Sequence, residues 1–329
     1  MNMKNDTFGE IAGEIRAAGS ILIIPHEHMD GDAAGSAAAL CLGLRKLGKQ
    51  AQVVLEDRPP ENLAFLTKGL CVPVSKVKEA PSLAICVDCS DLHRFPKREK
   101  LFCGAGKTIC LDHHKAEQGI ADLNHIDDTA AASAELMYFL LRELDVAFDE
   151  AMALRIYAGL ATDTGNFLYS NTTAQTHEIA AAMMRTGMDS NEVNVMIYES
   201  ESFAKMRLHA AVLAKAECFA GGMGIMGIVS QEDLASTGAR MEDTEGLVAA
   251  LRSIRGVEIA VLLKEQQGKV IKASLRAKTF ADVQKICAAN HGGGHVRASG
   301  CTIYDTLPNA RRLLLAACEK ELQEYERNH

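Results

Sequence analysis

Nowhere in the 329 residues is there a run approaching the ~20 consecutive apolar residues of a bilayer-spanning helix, and the opening MNMKNDTFGE lacks the apolar stretch of a signal peptide. The cytoplasm is therefore the expected location, and no membrane is expected as a partner. Proline is scarce, at 7 residues, beside 48% apolar and 24% charged residues, which excludes a collagenous, disordered or low-complexity chain. Basic charge is also in deficit: 35 Lys and Arg against 43 acidic residues leave a net charge of −8, so no broad surface for long duplex nucleic acid is expected. A short or small anionic ligand in a local site remains compatible with that balance. The 10 cysteines, without an export signal, read as reduced thiols. Cys86 and Cys89 form a CxxC, but no second CxxC completes a four-cysteine site and Cys86 lies in an apolar run, so a structural role is expected. The glycine-rich GGMGIMG has no following Lys-Ser or Lys-Thr, so it is not read as a phosphate loop.

What is present suits an α/β chain of two domains. ILIIP at 21–25, an alanine-rich helical stretch ending at Gly48, and AQVVLE give strand, helix, strand, the pattern of a parallel sheet. SLAICVD and KTICLD are further apolar runs that end in Asp88 and Asp112. Helical patterns follow at 133–144, 150–162 and 174–187, and a polar helical segment at 191–215 reads as a connector. Beyond it, VEIAVLLKE and KVIKASLRA flank QQGK as a hairpin, and a helix at FADVQKICAAN runs into HGGGH. The expected plan is a parallel-sheet domain at 1–190, a linker at 191–215 and a smaller α+β domain at 216–329.

Histidine and aspartate gather at the strand ends. His26, Asp30 and Asp32 lie in HEHMDGD, Asp112, His113 and His114 are consecutive, and Asp163 sits in ATDTGNF. Open α/β sheets place ligands outside the carboxyl ends of their strands, so these residues can converge although they are distant in sequence. Imidazole with carboxylate is a ligand set for Mn²⁺, Zn²⁺ or Fe²⁺. With Asp88 included there are enough ligands for two ions, one aspartate bridging them, and two such ions ~3.5–4 Å apart suit in-line displacement at phosphorus.

HEHMDGDAAGS, VDCSD, LDHHK and ATDTGNF together resemble the four ordered motifs of the DHH phosphoesterase superfamily, and SLRAKTFADVQKICAANHGGGHVRASG resembles its DHHA1 domain. Within the superfamily the layout is similar to the NrnA-type oligoribonucleases and PAP (3′-phosphoadenosine 5′-phosphate) phosphatases. The resemblance implies that His26, Asp30 and Asp88 hold one metal, and that Asp32, Asp88, His113 and Asp163 hold the other. It further implies two Mn²⁺, with Mg²⁺ as the other candidate, and a homodimer. His114 would face the scissile phosphate and Asp112 would orient the neighbouring imidazoles. From the second domain, Arg276, His295 and Arg297 would contact the substrate, with Gly293 and Gly294 permitting close approach. His28 is left as a loop residue.

The expected activity is hydrolysis of short oligoribonucleotides, PAP, or both. Linear or cyclic dinucleotide hydrolysis, such as that of pApA or c-di-AMP, is the alternative. A family II inorganic pyrophosphatase shares the metal motifs but lacks the GGGH ending. A nucleotide-binding regulatory module that has lost catalysis is the contrasting reading, and the competent residue at every ligand position argues against it.

Overall fold

The apolar runs at 21–25, 83–87 and 108–112 become three adjacent parallel strands in a computed structural model, which describes residues 5–56, 59–116 and 118–328. The chain divides into two compact units, Met1–Ser200 and Glu201–His329. Among the described residues no helix is long and apolar enough to cross a membrane.

In the first unit the strands are β1 (Ser20–Pro25), β2 (Gln50–Leu55), β3 (Cys71–Pro73), β4 (Leu83–Val87), β5 (Thr108–Asp112) and β6 (Leu123–Ile126). They are ordered β3-β2-β1-β4-β5-β6, all neighbours parallel. The order reverses between β1 and β4, which makes their carboxyl ends the switch point of the sheet. The helices are α1 (Phe8–Ala17), α2 (Gly31–Lys46), α3 (Ala64–Thr67), α4 (Glu99–Cys103), α5 (Ser133–Glu143), α6 (Glu150–Asp163), α7 (Ala174–Met184) and α8 (Ser190–Tyr198).

The alanine-rich α2 is buried along most of its length, as expected of a helix with small apolar residues on every side. Its glycines let α6 come close. A Cβ on Gly35 would stand 2.4 Å from the Arg155 carbonyl oxygen, and one on Gly159 would stand 2.7 Å from Asp32 Oδ1. Small residues thus bring together the two helices that carry Asp32 and Asp163.

The second unit holds α9 (Phe203–Lys215), β7 (Glu217–Phe219), β8 (Gly224–Val229), α10 (Gln231–Thr237), α11 (Leu247–Ser253), β9 (Ile259–Gln266), β10 (Val270–Ala277), α12 (Val283–Ala288), β11 (Gly293–His295), β12 (Ala298–Tyr304) and α13 (Leu307–Asn328). Its sheet is ordered β11-β12-β10-β9-β8-β7, antiparallel except for β8 and β9. The hairpin joining β9 to β10 turns at Gly268 and Lys269, both with positive φ. The 191–215 stretch is helical but shared between the units: α8 belongs to the first, while α9 buries Leu208 and Val212 in the second. Within GGGH, Gly293–His295 form the short strand β11 because β12 offers a pairing edge.

One buried carboxylate organises the passage from β10 to α12. Glu258 accepts hydrogen bonds from the N–H groups of Thr279 (3.0 Å), Phe280 (2.8 Å) and Ala281 (2.9 Å), and from the Thr279 hydroxyl (2.7 Å). Burial opposes its charge, but the Ala281 and Thr279 donors outweigh that and hold the carboxyl below the usual range. A depressed folded-state pKa stabilises above the unfolded value of ~4.3 and is lost as pH falls through the folded value. Glu258→Gln is expected to speed hydrogen exchange at the amides of 279–281 about thirtyfold at neutral pH, corresponding to roughly 2 kcal/mol. The difference from wild type should shrink in acid. Equal protection of those amides at neutral pH would contradict the assignment.

Candidate metal centre

The strand ends of the first unit are level with one another. Pro25 pairs with Val87, and Val87 with Leu111, so His26, Asp88 and Asp112 follow in line at the carboxyl edge of β1, β4 and β5. Asp88 sits in the left-handed region at φ 59, a strained conformation for an aspartate, and its N–H donates to the Leu111 carbonyl at 2.9 Å. The segment from His26 to Asp32 is divided by the start of α2 at Gly31. Asp30 caps that helix, its side chain accepting from the Ala33 N–H at 3.0 Å, and Asp32 lies in the first turn. Asp163 is the last residue of α6.

Three groups of side chains converge there, each with ligand atoms within 4.8 Å of one another: His26, Asp30 and Asp88; Asp32, His113 and Asp163; and Asp88, His113 and His114. Asp88 stands between the first two. Its Oδ2 is 3.4 Å from His26 Nε2, and its Oδ1 is 3.5 Å from His113 Nε2. His113 Nε2 is also 3.1 Å from Asp163 Oδ2 and 3.9 Å from Asp32 Oδ2. On the outer side, His26 Nε2 is 3.7 Å from Asp30 Oδ2.

The donor set fits cations. His26 Nδ1 donates to the Glu27 carbonyl at 2.6 Å and His113 Nδ1 to the Ala130 carbonyl at 3.3 Å, which leaves each Nε2 toward the carboxylates. Metal-binding histidines are commonly held in this way. His26 Nε2, His113 Nε2 and Asp88 Oδ2 are buried without a hydrogen-bond partner, an arrangement costly in a protein unless something else satisfies it. Electrostatics point the same way. Burial, then repulsion from Asp88 and Asp163, raises the pKa of Asp32 well above the carboxylate range, and burial raises that of Asp88. Burial disfavours charge on His26 and His113, yet the nearby carboxylates, of Asp30 and Asp88 for the first and of Asp163 for the second, push both up to about 10. Concentrated negative charge is drawing positive charge inward.

His114 is oriented differently. Its Nδ1 donates to Asp112 Oδ1 at 2.9 Å, and its backbone N–H bonds the same oxygen at 3.0 Å. The bond to Asp112 outweighs burial and raises the His114 pKa. Asp112, expected to orient both imidazoles, holds only this one, since His113 is anchored by the Ala130 carbonyl instead.

Comparison with known proteins now adds to the geometry. Residues 20–161 match the DHH family N-terminal domain and residues 225–324 the DHHA1 domain. The bifunctional oligoribonuclease and PAP phosphatase NrnA of Thermus thermophilus is 30% identical over 92% of this chain and 90% of its own. The chain belongs to the DHH family. Two solved structures share its fold. An exopolyphosphatase-related protein from Bacteroides fragilis has a TM-score of 0.89 at 23% identity, covering 96% of this chain and 97% of that one. The exonuclease RecJ bound to manganese has a TM-score of 0.57 at 16% identity, covering 96% and 95%.

The DHHA1 residues occupy one region of the second sheet. Arg276 on β10 pairs with Ala298, and Ala298 pairs with His295 on β11, so the three share a face. Arg276 donates to the Leu275 carbonyl at 3.0 Å, and burial, then the nearby Arg252, lowers its pKa. Arg297 donates to the Ala281 carbonyl at 2.6 Å, which commits part of its guanidinium to the backbone. Gly293 and Gly294 lie in β11, Gly294 at φ 138 and packed within 2.8 Å of Ser299 at the position a Cβ would take.

One neighbour of these carboxylates lies outside the four motifs. Ser133 opens α5, donating from Oγ to Asp88 Oδ1 at 2.9 Å and from N–H to Asp32 Oδ2 at 2.6 Å. Ala134 N–H and Ser36 Oγ reach Asp32 Oδ1, each at 3.0 Å. Ala132, the cap residue of α5, has no capping side chain, so Asp32 serves that helix end from another element.

Proposed function

We propose that this chain is a dimetal phosphoesterase that hydrolyses short oligoribonucleotides, PAP, or both. The observation that carries the reading is Asp88, whose two carboxylate oxygens face two different imidazoles, His26 and His113, while Asp88 Oδ2 and both Nε2 atoms are buried without a hydrogen-bond partner. His26, Asp30 and Asp88 would hold one divalent cation, and Asp32, Asp88, His113 and Asp163 the other. Manganese suits this mixed histidine and aspartate set, and magnesium is the alternative. The two ions, when bound, supply activation of a water and neutralisation of charge on phosphoryl oxygens.

The chain's own residues do the rest. His114, with Nδ1 engaged by Asp112, presents Nε2 to the substrate phosphate and can supply a proton to the leaving oxygen. Asp112 fixes that imidazole's tautomer and aim. Ser133 keeps Asp88 and Asp32 in place. Arg276 and His295 are the proposed substrate contacts of the DHHA1 domain, with Gly293 and Gly294 exposing backbone there. Arg297 is the weaker candidate because part of its guanidinium is already engaged. The names of the NrnA relatives support the substrate class, and a cytoplasmic homodimer is the assembly this reading carries.

The test is a substrate panel. PAP, a linear dinucleotide, a pentanucleotide RNA and a cyclic dinucleotide are assayed with Mn²⁺, with Mg²⁺ and with EDTA. Release of phosphate from PAP and of mononucleotide from RNA, abolished by EDTA, is the expected result. Hydrolysis of the cyclic dinucleotide alone would replace the substrate assignment, and no metal-dependent hydrolysis of any member would overturn the function.

A further inference from the structure

Asp88 reaches its neighbours through a reversal of the chain. Ala84 and Cys86 of β4 and Cys110 of β5 are buried in one apolar cluster with Phe95 and Phe102. Ile85, Val87, Ile109 and Leu111 belong to the core on the other face of the sheet, with residues of α2 and α5. Side chains alternate along a strand, so a continued β4 would put Asp88 on the Cys86 face. Instead its Oδ1 accepts from Ser133 of α5, on the opposite side. The left-handed φ of 59 at Asp88 makes that reversal, and a residue with a Cβ keeps such a conformation only where its surroundings impose it.

What imposes it lies one residue further on. Cys89 is fully buried and beyond the end of β4, so its carbonyl has no ladder partner and needs a donor from elsewhere. Cys86 Sγ donates to that oxygen at 3.3 Å and Cys110 Sγ at 3.4 Å. Among the described residues these two thiols are its only donors. A carbonyl oxygen has two lone pairs, enough to take both. Register makes the convergence possible, because Cys86 and Cys110 are direct partners across β4 and β5. On the amino side of the turn, the Asp88 N–H donates to the Leu111 carbonyl. The turn is thus tied to β5 before and after the Asp88 side chain. Buried cysteine is ordinarily a small apolar filler with a weak S–H donor, and two such donors meeting on one backbone oxygen go beyond filling space.

We propose that Cys86 and Cys110 are positioning residues of the metal centre: together they hold the Cys89 carbonyl and so keep Asp88 turned toward both cation positions. The inference rests on the dimetal reading above and names what fixes its bridging carboxylate. With both donors gone, the carbonyl is orphaned in an apolar cluster, and the turn that orphans it is destabilised against any relaxed alternative. One donor satisfies the oxygen, so the two thiols are redundant.

The single and double alanine variants of Cys86 and Cys110, and the Cys86→Ser/Cys110→Ser double variant, test this. Hydrogen exchange at the Asp88 amide is measured in EDTA, Mn²⁺ binding by equilibrium dialysis, and the melting temperature alongside. Each single alanine variant should stay within about twofold of wild type in exchange and in binding. The alanine pair should exchange the Asp88 amide about tenfold faster and bind Mn²⁺ about tenfold more weakly, more than the single losses combined. The serine pair restores two donors and should recover most of both losses. Serine matches alanine in size and is costlier to bury among apolar groups, so a packing role would leave the serine pair no better than the alanine pair. That result would overturn the proposal, as would Mn²⁺ affinity that simply follows melting temperature across the variants. Wild-type exchange at Asp88 in the alanine pair would overturn it too. If the alanine pair does not fold, Cys86→Ala/Cys110→Ser carries the same test: one hydroxyl should hold exchange and binding within about threefold of wild type, and a larger loss would refute the redundancy. Failure of wild type to bind Mn²⁺ would count against the dimetal reading, while exchange at Asp88 would still decide whether the thiols hold the turn.

Discussion

Replacing Asp88 by alanine is expected to take hydrolysis of every substrate in the panel to background and to lower the bound metal of both positions together. Asp88 Oδ2 faces His26 and Oδ1 faces His113, so one truncation removes an oxygen from both proposed ligand sets. It also frees the Ser133 hydroxyl that donates to Oδ1. Loss of several kcal/mol of transition-state charge stabilisation corresponds to a fall of about a thousandfold or more in kcat/KM. Elemental analysis of the dialysed protein after Mn²⁺ loading distinguishes this from simple unfolding, with circular dichroism as the control. Alanine also relieves no strain by itself, since φ 59 disfavours any residue with a Cβ. Asp88→Asn is therefore the companion variant: it keeps size and tolerance of the left-handed region but loses charge. If either variant, folded, retains two ions per chain, Asp88 does not bridge.

Why so much of this centre could be read from sequence has a structural cause. Every proposed ligand of the parallel sheet stands one to a few residues beyond a short apolar run, because β1, β4 and β5 end level at the switch point. What the sequence could not show is conformation and cross-element pairing. Nothing in HEHMDGD says that α2 begins at Gly31 and that Asp30 is its cap, since loop and cap use the same residue types. The left-handed Asp88 and the docking of Asp32 on the amino end of α5 depend on partners distant in sequence. Short edge strands were equally silent. β3, β7 and β11 have three residues each and no apolar run, and they form only because a longer neighbour presents an unpaired edge. Likewise α9 reads as a polar connector, with Phe203 and Met206 exposed, and only Leu208 and Val212 tie it to the second core.

His113→Ala and His114→Ala are expected to fail in different ways, although the residues are adjacent. His113 directs Nε2 into the carboxylate cluster, 3.1 Å from Asp163 and 3.5 Å from Asp88, with Nδ1 fixed to a backbone carbonyl. Its removal should cost bound metal and with it nearly all activity. His114 uses Nδ1 for Asp112, and its side chain is 38% exposed, so its remaining nitrogen is available to a substrate. Its removal should leave metal content near that of wild type and lower kcat by about a hundredfold to ten-thousandfold, the usual range for a positioned acid or base. Because Asp112 acts through His114, Asp112→Asn should reproduce part of that loss in kcat with metal content preserved, and its effect should largely vanish in a His114→Ala background. His114 also lies within ligand distance of Asp88 and His113, so the opposite outcome is concrete: equal metal loss from the two histidine variants would make His114 a ligand, and the proton donor would have to be sought elsewhere.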